Sequence, residues 1–220
     1  MLRSDLLRGT PHAFTGRAEG DMRRNLGDAP DQLAAAIGGV GGLRTVSQVH
    51  GRAVVRAESL GDGLVEADGL VCTTPGVAIA VRVADCVPVL LAGPGGVAAI
   101  HAGWRGTAAD IVREGLHALC DAAGIRPGDV RGAVGPSIRG CCYAVGEEVI
   151  SGVGAVAPGR DWLRGAHVDL AVANAAILAE AGVSVEVVGG CTRCGEGWYS
   201  HRAGHAERQV GVILLPAAGA

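Results

Sequence analysis

The chain has 220 residues, 49% of them hydrophobic, so it is long and apolar enough to bury a substantial core and is no disordered segment. Its net charge of −3 comes without any basic run, which leaves no electrostatic basis for binding nucleic acid or a membrane surface. Seven cysteines follow a start, MLRSDLLRGT, that lacks an apolar export signal, so they read as thiols or metal ligands in a cytoplasmic protein rather than as disulfides.

In chain order, residues 28–37 predict a short helix, with Asp28 before its start, Pro30 early, and Gly38 and Gly39 after its end. Residues 45–49 and 53–57 predict two strands around Gly51. The apolar run 77–91 predicts either one bent buried strand or two shorter ones, because Cys86 and Pro88 interrupt it; Arg82 and Asp85 exclude a membrane span. After a turn at 93–96, residues 97–101 predict another strand. The clearest helix follows, capped by Thr107, with Ile111, Val112, Leu116, Leu119 and Cys120 at helical spacing and Gly124 at its end. Residues 169–181 predict a second helix, and 183–188 and 209–215 two further strands. Such alternation predicts an α/β or α+β fold, a mixed β-sheet core with helices packed on it, in one domain spanning 1–220.

Three short motifs carry possible chemistry: Gln48-Val49-His50-Gly51, Ala84-Asp85-Cys86-Val87-Pro88 and His101-Ala102-Gly103-Trp104-Arg105-Gly106. Each sets a metal-ligating residue at a strand end or interruption beside Gly or Pro, where a sheet can hold loop ends in fixed geometry. Two imidazoles and one thiolate suit Zn2+ with a fourth position open. The alternative is a buried structural Cys and two hydrogen-bonded His, and spacing alone does not decide between them.

These three motifs resemble the signature segments of the YfiH-like laccase-domain family, whose members carry the names polyphenol oxidase, purine nucleoside phosphorylase and peptidoglycan editing factor. Further segments agree: Phe14–Arg17, Asn25–Asp28, Ala67-Asp68-Gly69-Leu70, Gly135-Pro136-Ser137-Ile138, Cys141-Cys142-Tyr143 and Cys191-Thr192. The resemblance implies that His50, Cys86 and His101 bind zinc. It also implies action on purine nucleosides: phosphorolysis of adenosine, inosine and methylthioadenosine, with adenosine deamination beside it. The chain departs from the family pattern at Ala144, where Glu is usual, and at Ala203, where the second Arg of a pair is usual, and these changes bear on substrate contacts.

Two more residues are candidates for catalysis. Arg105, just before the predicted helix start, offers a bidentate fork for phosphate or carboxylate, or pairs with Asp85. Asp85, beside Cys86, either orients a ligand His, carries a proton, or merely ends the strand pattern. Cys191-Thr-Arg-Cys194 is a lone CxxC without a second pair and reads as structural or incidental. His201 and His205 read as solvent-exposed loop residues.

Three other functions compete with the nucleoside enzyme. A zinc hydrolase cleaving a misplaced amino acid from a muramyl peptidoglycan precursor fits the same ligand set, as does a variant with Cys86 as nucleophile. Copper is less well served, since Met1 and Met22 lie near no motif and no His-x-His pair occurs. A metal-bearing binding protein without turnover is the fourth reading. All but the last imply a small-molecule substrate.

Overall fold

The structure is a computed structural model and describes residues 1–23, 29–40, 42–61 and 65–217. Along the chain run β1 (His12–Phe14), α1 (Ala29–Ala36), β2 (Leu43–Arg44), β3 (Val54–Arg56), β4 (Gly69–Cys72), β5 (Ala78–Val83), β6 (Val87–Gly93) and β7 (Gly96–Ala102). Then come α2 (Trp104–Ala108), α3 (Ile111–Ala123), β8 (Arg131–Val134), α4 (Glu147–Gly154), β9 (Leu163–Arg164), β10 (His167–Val168), α5 (Leu170–Glu180), β11 (Ser184–Val187) and β12 (Gln209–Leu214). The Asn25–Asp28 segment, with the predicted first residue of the first helix, lies outside the described residues.

The mixed α/β architecture expected from the sequence is present, with two main sheets rather than one. The larger has the order β11-β8-β6-β7-β4-β3 and the smaller β1-β12-β5-β2. Both are mixed: β3 pairs parallel with β4, β8 with β11 and β2 with β5, and the remaining pairs are antiparallel.

Side-chain alternation explains the layering. On β6, Val87, Val89 and Leu91 point to one side, where they meet Leu116 and Leu119 of α3 and Ile177 and Leu178 of α5. Leu90 and Ala92 point to the other side and pack with Ile79 and Val81 of β5 and Ile213 of β12. A strand buried on both faces reads as a continuous apolar run, which is why 77–91 shows no alternation of polar residues. The outer face of the smaller sheet, with Ala78, Ala80, Val210 and Val212, is covered by Leu33 and Ala34 of α1.

The run 77–91 resolves into two strands because Asp85 takes a left-handed backbone conformation, φ 88°, between β5 and β6. This turn carries the chain from the smaller sheet to the larger one. The predicted cap at Thr107 is corrected. The helical stretch begins at Trp104 with Gly103 as N-cap, and Thr107 is a buried residue inside α2 whose hydroxyl meets the Asn174 side chain at 3.1–3.3 Å. Asp110, φ 65°, then breaks the stretch into α2 and α3.

Residues 45–49 are corrected as well, since they form a loop and only Ser47 makes an isolated bridge, to Glu66. The Gln48 side chain replaces a strand partner: its amide donates to the Arg82 carbonyl and accepts from the Arg82 N–H, both at 2.8 Å.

Candidate metal and active site

Three pieces of backbone bring the motifs together. Cys86 immediately precedes β6, His101 lies on β7, and the β6–β7 register sets Val87 opposite Ala102 and Pro88 opposite His101. Cys86 therefore faces the residues that follow His101. The loop before β3 supplies His50, itself at φ 60°. Left-handed backbone at both His50 and Asp85 costs energy that ordinary loops avoid, and such strain concentrates at functional sites.

The sulfur of Cys86 lies 3.9 Å from Nε2 of His50, and the rings of His50 and His101 stand nearly perpendicular with centroids 4.8 Å apart. One ligand atom from each of the three residues falls within 4.8 Å of the other two. Bonds of about 2.3 Å to sulfur and 2.0–2.1 Å to nitrogen put tetrahedral S and N ligands about 3.6 Å apart, so the donor set and spacing fit zinc. Gly103 leaves the room for this approach: a Cβ there would lie 3.0 Å from Cδ2 of His50 and 3.2 Å from the Cys86 sulfur.

The organising residue is Asp68, which the sequence presented only as part of a resemblance. It is fully buried at the foot of β4. Its Oδ1 accepts from Nδ1–H of His101 at 2.7 Å and from the His50 backbone N–H at 3.0 Å. Its Oδ2 accepts from the N–H groups of Gly51 at 2.6 Å and Val49 at 3.2 Å. A carboxylate can only accept here, so Nδ1 of His101 carries the proton and Nε2 is left for a metal. A charged residue buried in an otherwise apolar stretch was the available signal.

The electrostatics follow from these contacts. Burial opposes the charge on Asp68, but the His101 and backbone donors outweigh it and hold the carboxyl below its usual range. Burial also disfavours the Cys86 thiolate and the His101 imidazolium. The two groups, with His50 and Asp68, overcome that cost: the Cys86 thiol falls to about 6 and His101 rises to about 9.

A cavity of about 470 Å³ opens over His50, Cys86 and His101, lined also by Gln48, Arg82, Ala84, His201 and Arg208. Its size falls within the range of small-molecule sites.

Asp68, not Asp85, holds the His101 ring. The Asp85 carboxylate is nearly buried and accepts from the Thr192 hydroxyl and the Arg202 backbone N–H, both at 2.7 Å. It therefore ties the loops carrying Thr192 and Arg202 to the strand turn beside Cys86.

Arg105 does not pair with Asp85. Its exposed guanidinium lies over the Trp104 ring, 4.5 Å from the centroid, and makes no ion pair among the described residues. Arg202 lies over the Tyr143 ring at 5.1 Å. Tyr143, which the sequence presented only within the Cys141-Cys142-Tyr143 resemblance, is nearly buried. Burial raises its hydroxyl pKa first, and the charges of Cys86, Arg202, Asp85 and Arg105 all act on it.

His201 is exposed as expected but stands at the cavity wall, and His205 is half-buried, accepting from the Ser200 N–H at 2.9 Å. The lone CxxC also acquires what spacing withheld: Cys141 and Cys142 lie against Cys191 and Cys194.

Residues 11–216 match the family model described as multi-copper polyphenol oxidoreductase laccase. The chain belongs to that family. It is 40% identical over 240 residues to a purine nucleoside phosphorylase of Deinococcus radiodurans, covering 98% of this chain and 93% of that one. It is 35% identical to adenosine deaminase RL5 of an unknown prokaryotic organism, over 66% of this chain and 58% of the relative. Among solved structures, YlmD from Geobacillus stearothermophilus superposes with a TM-score of 0.79 at 29% identity, covering 94% of this chain and 90% of that one. The YfiH-like resemblance read from the motifs and the mixed α/β fold are thus borne out. No helix among the described residues is long and apolar enough to cross a membrane.

Proposed function

We propose that this family member is a zinc-dependent purine nucleoside enzyme that cleaves adenosine, inosine or methylthioadenosine with phosphate and deaminates adenosine beside it. The observation that carries the reading is the His50–Cys86–His101 set, oriented by buried Asp68, at the floor of a cavity of small-molecule size. Relatives named purine nucleoside phosphorylase and adenosine deaminase support the substrate class. Zinc, when bound, supplies a Lewis acid and a water acidified to a pKa of about 7.

The chain's own residues do the rest. Asp68 fixes the His101 tautomer and the His50 loop, so two of the ligands need no rearrangement. Arg105 and Arg202, neither in an ion pair among the described residues, hold the anionic co-substrate by charge-assisted hydrogen bonds. Phosphorolysis needs that phosphate positioned at the sugar carbon, and orientation of this kind is a large part of rate enhancement. Tyr143, nearly buried under the Arg202 guanidinium and within the electrostatic reach of Cys86 and Arg105, supplies a neighbouring hydroxyl.

The family's copper name is less well served by the site. Among the described residues two groups bring three or more possible ligands together, and neither has more than two imidazoles. No Met lines the cavity.

A second reading rests on one observation: the lowered Cys86 thiol beside the raised His101 forms a thiolate–imidazolium pair, the makings of a metal-free nucleophile. On an amide-linked muramyl substrate this pair would act as a hydrolase.

One experiment separates the readings: turnover of adenosine and inosine by metal-quantified protein, with and without phosphate and chelator. Free base appearing only with phosphate, abolished by chelator and by His101→Ala, is the expected result. Arg105→Ala should then raise the phosphate KM about tenfold or more. Zinc-loaded protein that consumes neither nucleoside would overturn the substrate class, and chelator-resistant turnover would favour Cys86 as nucleophile.

A further inference from the structure

Four of the seven cysteines converge far from one another in sequence. Cys141 and Cys142 sit in the loop after β8, and Cys191 and Cys194 in the loop between β11 and β12. The Cys141 sulfur lies 3.8 Å from that of Cys142 and 3.6 Å from that of Cys194, and all four fall within 4.8 Å of one another. A tetrahedral centre with metal–sulfur bonds of about 2.3 Å has sulfur–sulfur edges of about 3.8 Å. A disulfide at about 2.05 Å would draw in two of the sulfurs and leave the other pair unexplained.

The backbone around Cys191 is shaped for a thiolate. The Arg139 N–H donates to its sulfur at 3.4 Å, and the neighbouring N–H groups of Arg193 and Cys194 add to the field that favours its thiolate. The turn closes with Gly195 N–H on the Cys191 carbonyl at 2.9 Å. Only glycine fits there, because a Cβ on Gly195 would lie 2.5 Å from that carbonyl oxygen. Arg193 donates to the Cys142 carbonyl at 3.3 Å and keeps a cation beside the cluster. Cys191 is buried and Cys142 half-buried, while Cys141 and Cys194 are exposed, so the group has a packed floor and an open side for an ion to enter.

We propose that Cys141, Cys142, Cys191 and Cys194 form a second metal site, a tetrathiolate zinc centre separate from the His50–Cys86–His101 site. Zinc displaces the remaining thiol protons to solvent and ends with four sulfur ligands and no open position, the coordination of a structural centre. The centre clamps two loops, one of which is tied to the turn beside Cys86. Tyr143 directly follows Cys142, and Thr192 directly follows Cys191 and donates to Asp85. Through Thr192 and Asp85 the second site therefore steadies the turn that carries Cys86.

The test uses the full chain, purified under reducing, oxygen-free conditions, loaded with zinc and desalted. Metal analysis should give about two equivalents per chain, and about one each in Cys141→Ser/Cys194→Ser and in His50→Ala/Cys86→Ser. With Co2+ in place of zinc, the His50→Ala/Cys86→Ser protein should keep the intense thiolate-to-cobalt charge-transfer band of a four-sulfur centre, whereas Cys141→Ser/Cys194→Ser should keep only the much weaker band of the single Cys86 thiolate. This cobalt readout needs no activity, and it stands even if the nucleoside assignment fails.

Serine at the two exposed positions leaves the packed residues untouched, and the wild-type metal count is informative without any variant. A single equivalent lost entirely in His50→Ala/Cys86→Ser would overturn the proposal. So would a cobalt spectrum indifferent to Cys141 and Cys194, or a Cys141–Cys194 disulfide in protein drawn from a reducing cytoplasm.

Discussion

At the scale of single residues, the site is governed by Asp68. It spends four hydrogen bonds on one histidine ring and three successive amides of the His50 loop, the inventory of a carboxylate saturated by donors. Asp68 heads the charge relay that lifts His101 to about 9, and His101 in turn brings Cys86 down to about 6. The sign of the proton exchange follows. At about pH 7.5, between these two values, metal-free protein holds His101 protonated and Cys86 as thiolate. Zinc needs neutral imidazole and thiolate, so binding at this site should release about one proton, from His101. Below about pH 6 the Cys86 proton joins it, and affinity should fall more steeply with acid. Calorimetry in buffers of different ionisation enthalpy measures the count, best in Cys141→Ser/Cys194→Ser protein so that one site is read. In Asp68→Asn the release should shrink and affinity drop about 10–100-fold. Release of no proton in the parent would remove the imidazolium from the picture.

At the scale of elements, sequence reasoning located strands and helices where the apolar pattern is strong and failed where side chains take over backbone pairing. The central strands β6 and β7 and the helix α3 were legible because burial dictates their composition. The loop 45–49 was read as a strand because its alternation is real, but its hydrogen bonds go to Gln48, Arg82 and Asp68 side chains and backbone rather than to a neighbouring strand. Thr107 was read as a cap because its bond to Asn174, 67 residues away, leaves no local trace. A similar substitution of side chain for backbone occurs at the β4–β5 turn. There Oε1 of Glu58 accepts from the N–H groups of Thr73 at 2.6 Å and Thr74 at 3.1 Å, and from the hydroxyl of Thr73 at 3.0 Å. Burial opposes ionisation of Glu58, but these donors prevail and lower its carboxyl from 4.5 to about 2. A depressed folded pKa gives stability that is present above 4.5 and lost as pH falls toward 2. Because the side chain keeps 27% of its exposure, the solvent-screened contribution is about 1–2 kcal/mol. Denaturant melts of wild type and Glu58→Gln should therefore converge across that window, the variant lacking this part of the acid sensitivity. Parallel pH curves would remove Glu58 from the account.

At the scale of the whole molecule, the candidate metal ligands sit where the two sheets exchange the chain. Arg82 of the cavity lies at the end of β5 in the smaller sheet with Ala84 just after it, Cys86 immediately precedes β6 and His101 lies on β7 of the larger sheet, and His50 lies on the loop joining β2 of one to β3 of the other. No spacing rule announces this convergence. It depends on the β6–β7 register, on the left-handed turn at Asp85, and on Asp68 reaching across from β4, so the ligand set came from resemblance to a family rather than from the residues alone. A metal at such a junction should act on stability as well as chemistry, since it binds the assembled sheets and not the unfolded chain. At a free zinc concentration about 100-fold above its dissociation constant, one site adds about 2.7 kcal/mol, or roughly 5–10 °C of melting temperature for a chain of this size. Zinc titration of the Cys141→Ser/Cys194→Ser protein by calorimetric melting isolates this term. Adding His101→Ala should abolish the zinc-dependent rise, whatever the truncation itself does to the metal-free melting point, because each protein serves as its own reference. A rise that survives without His101 would mean that zinc is held elsewhere and that the junction of the two sheets is not its site.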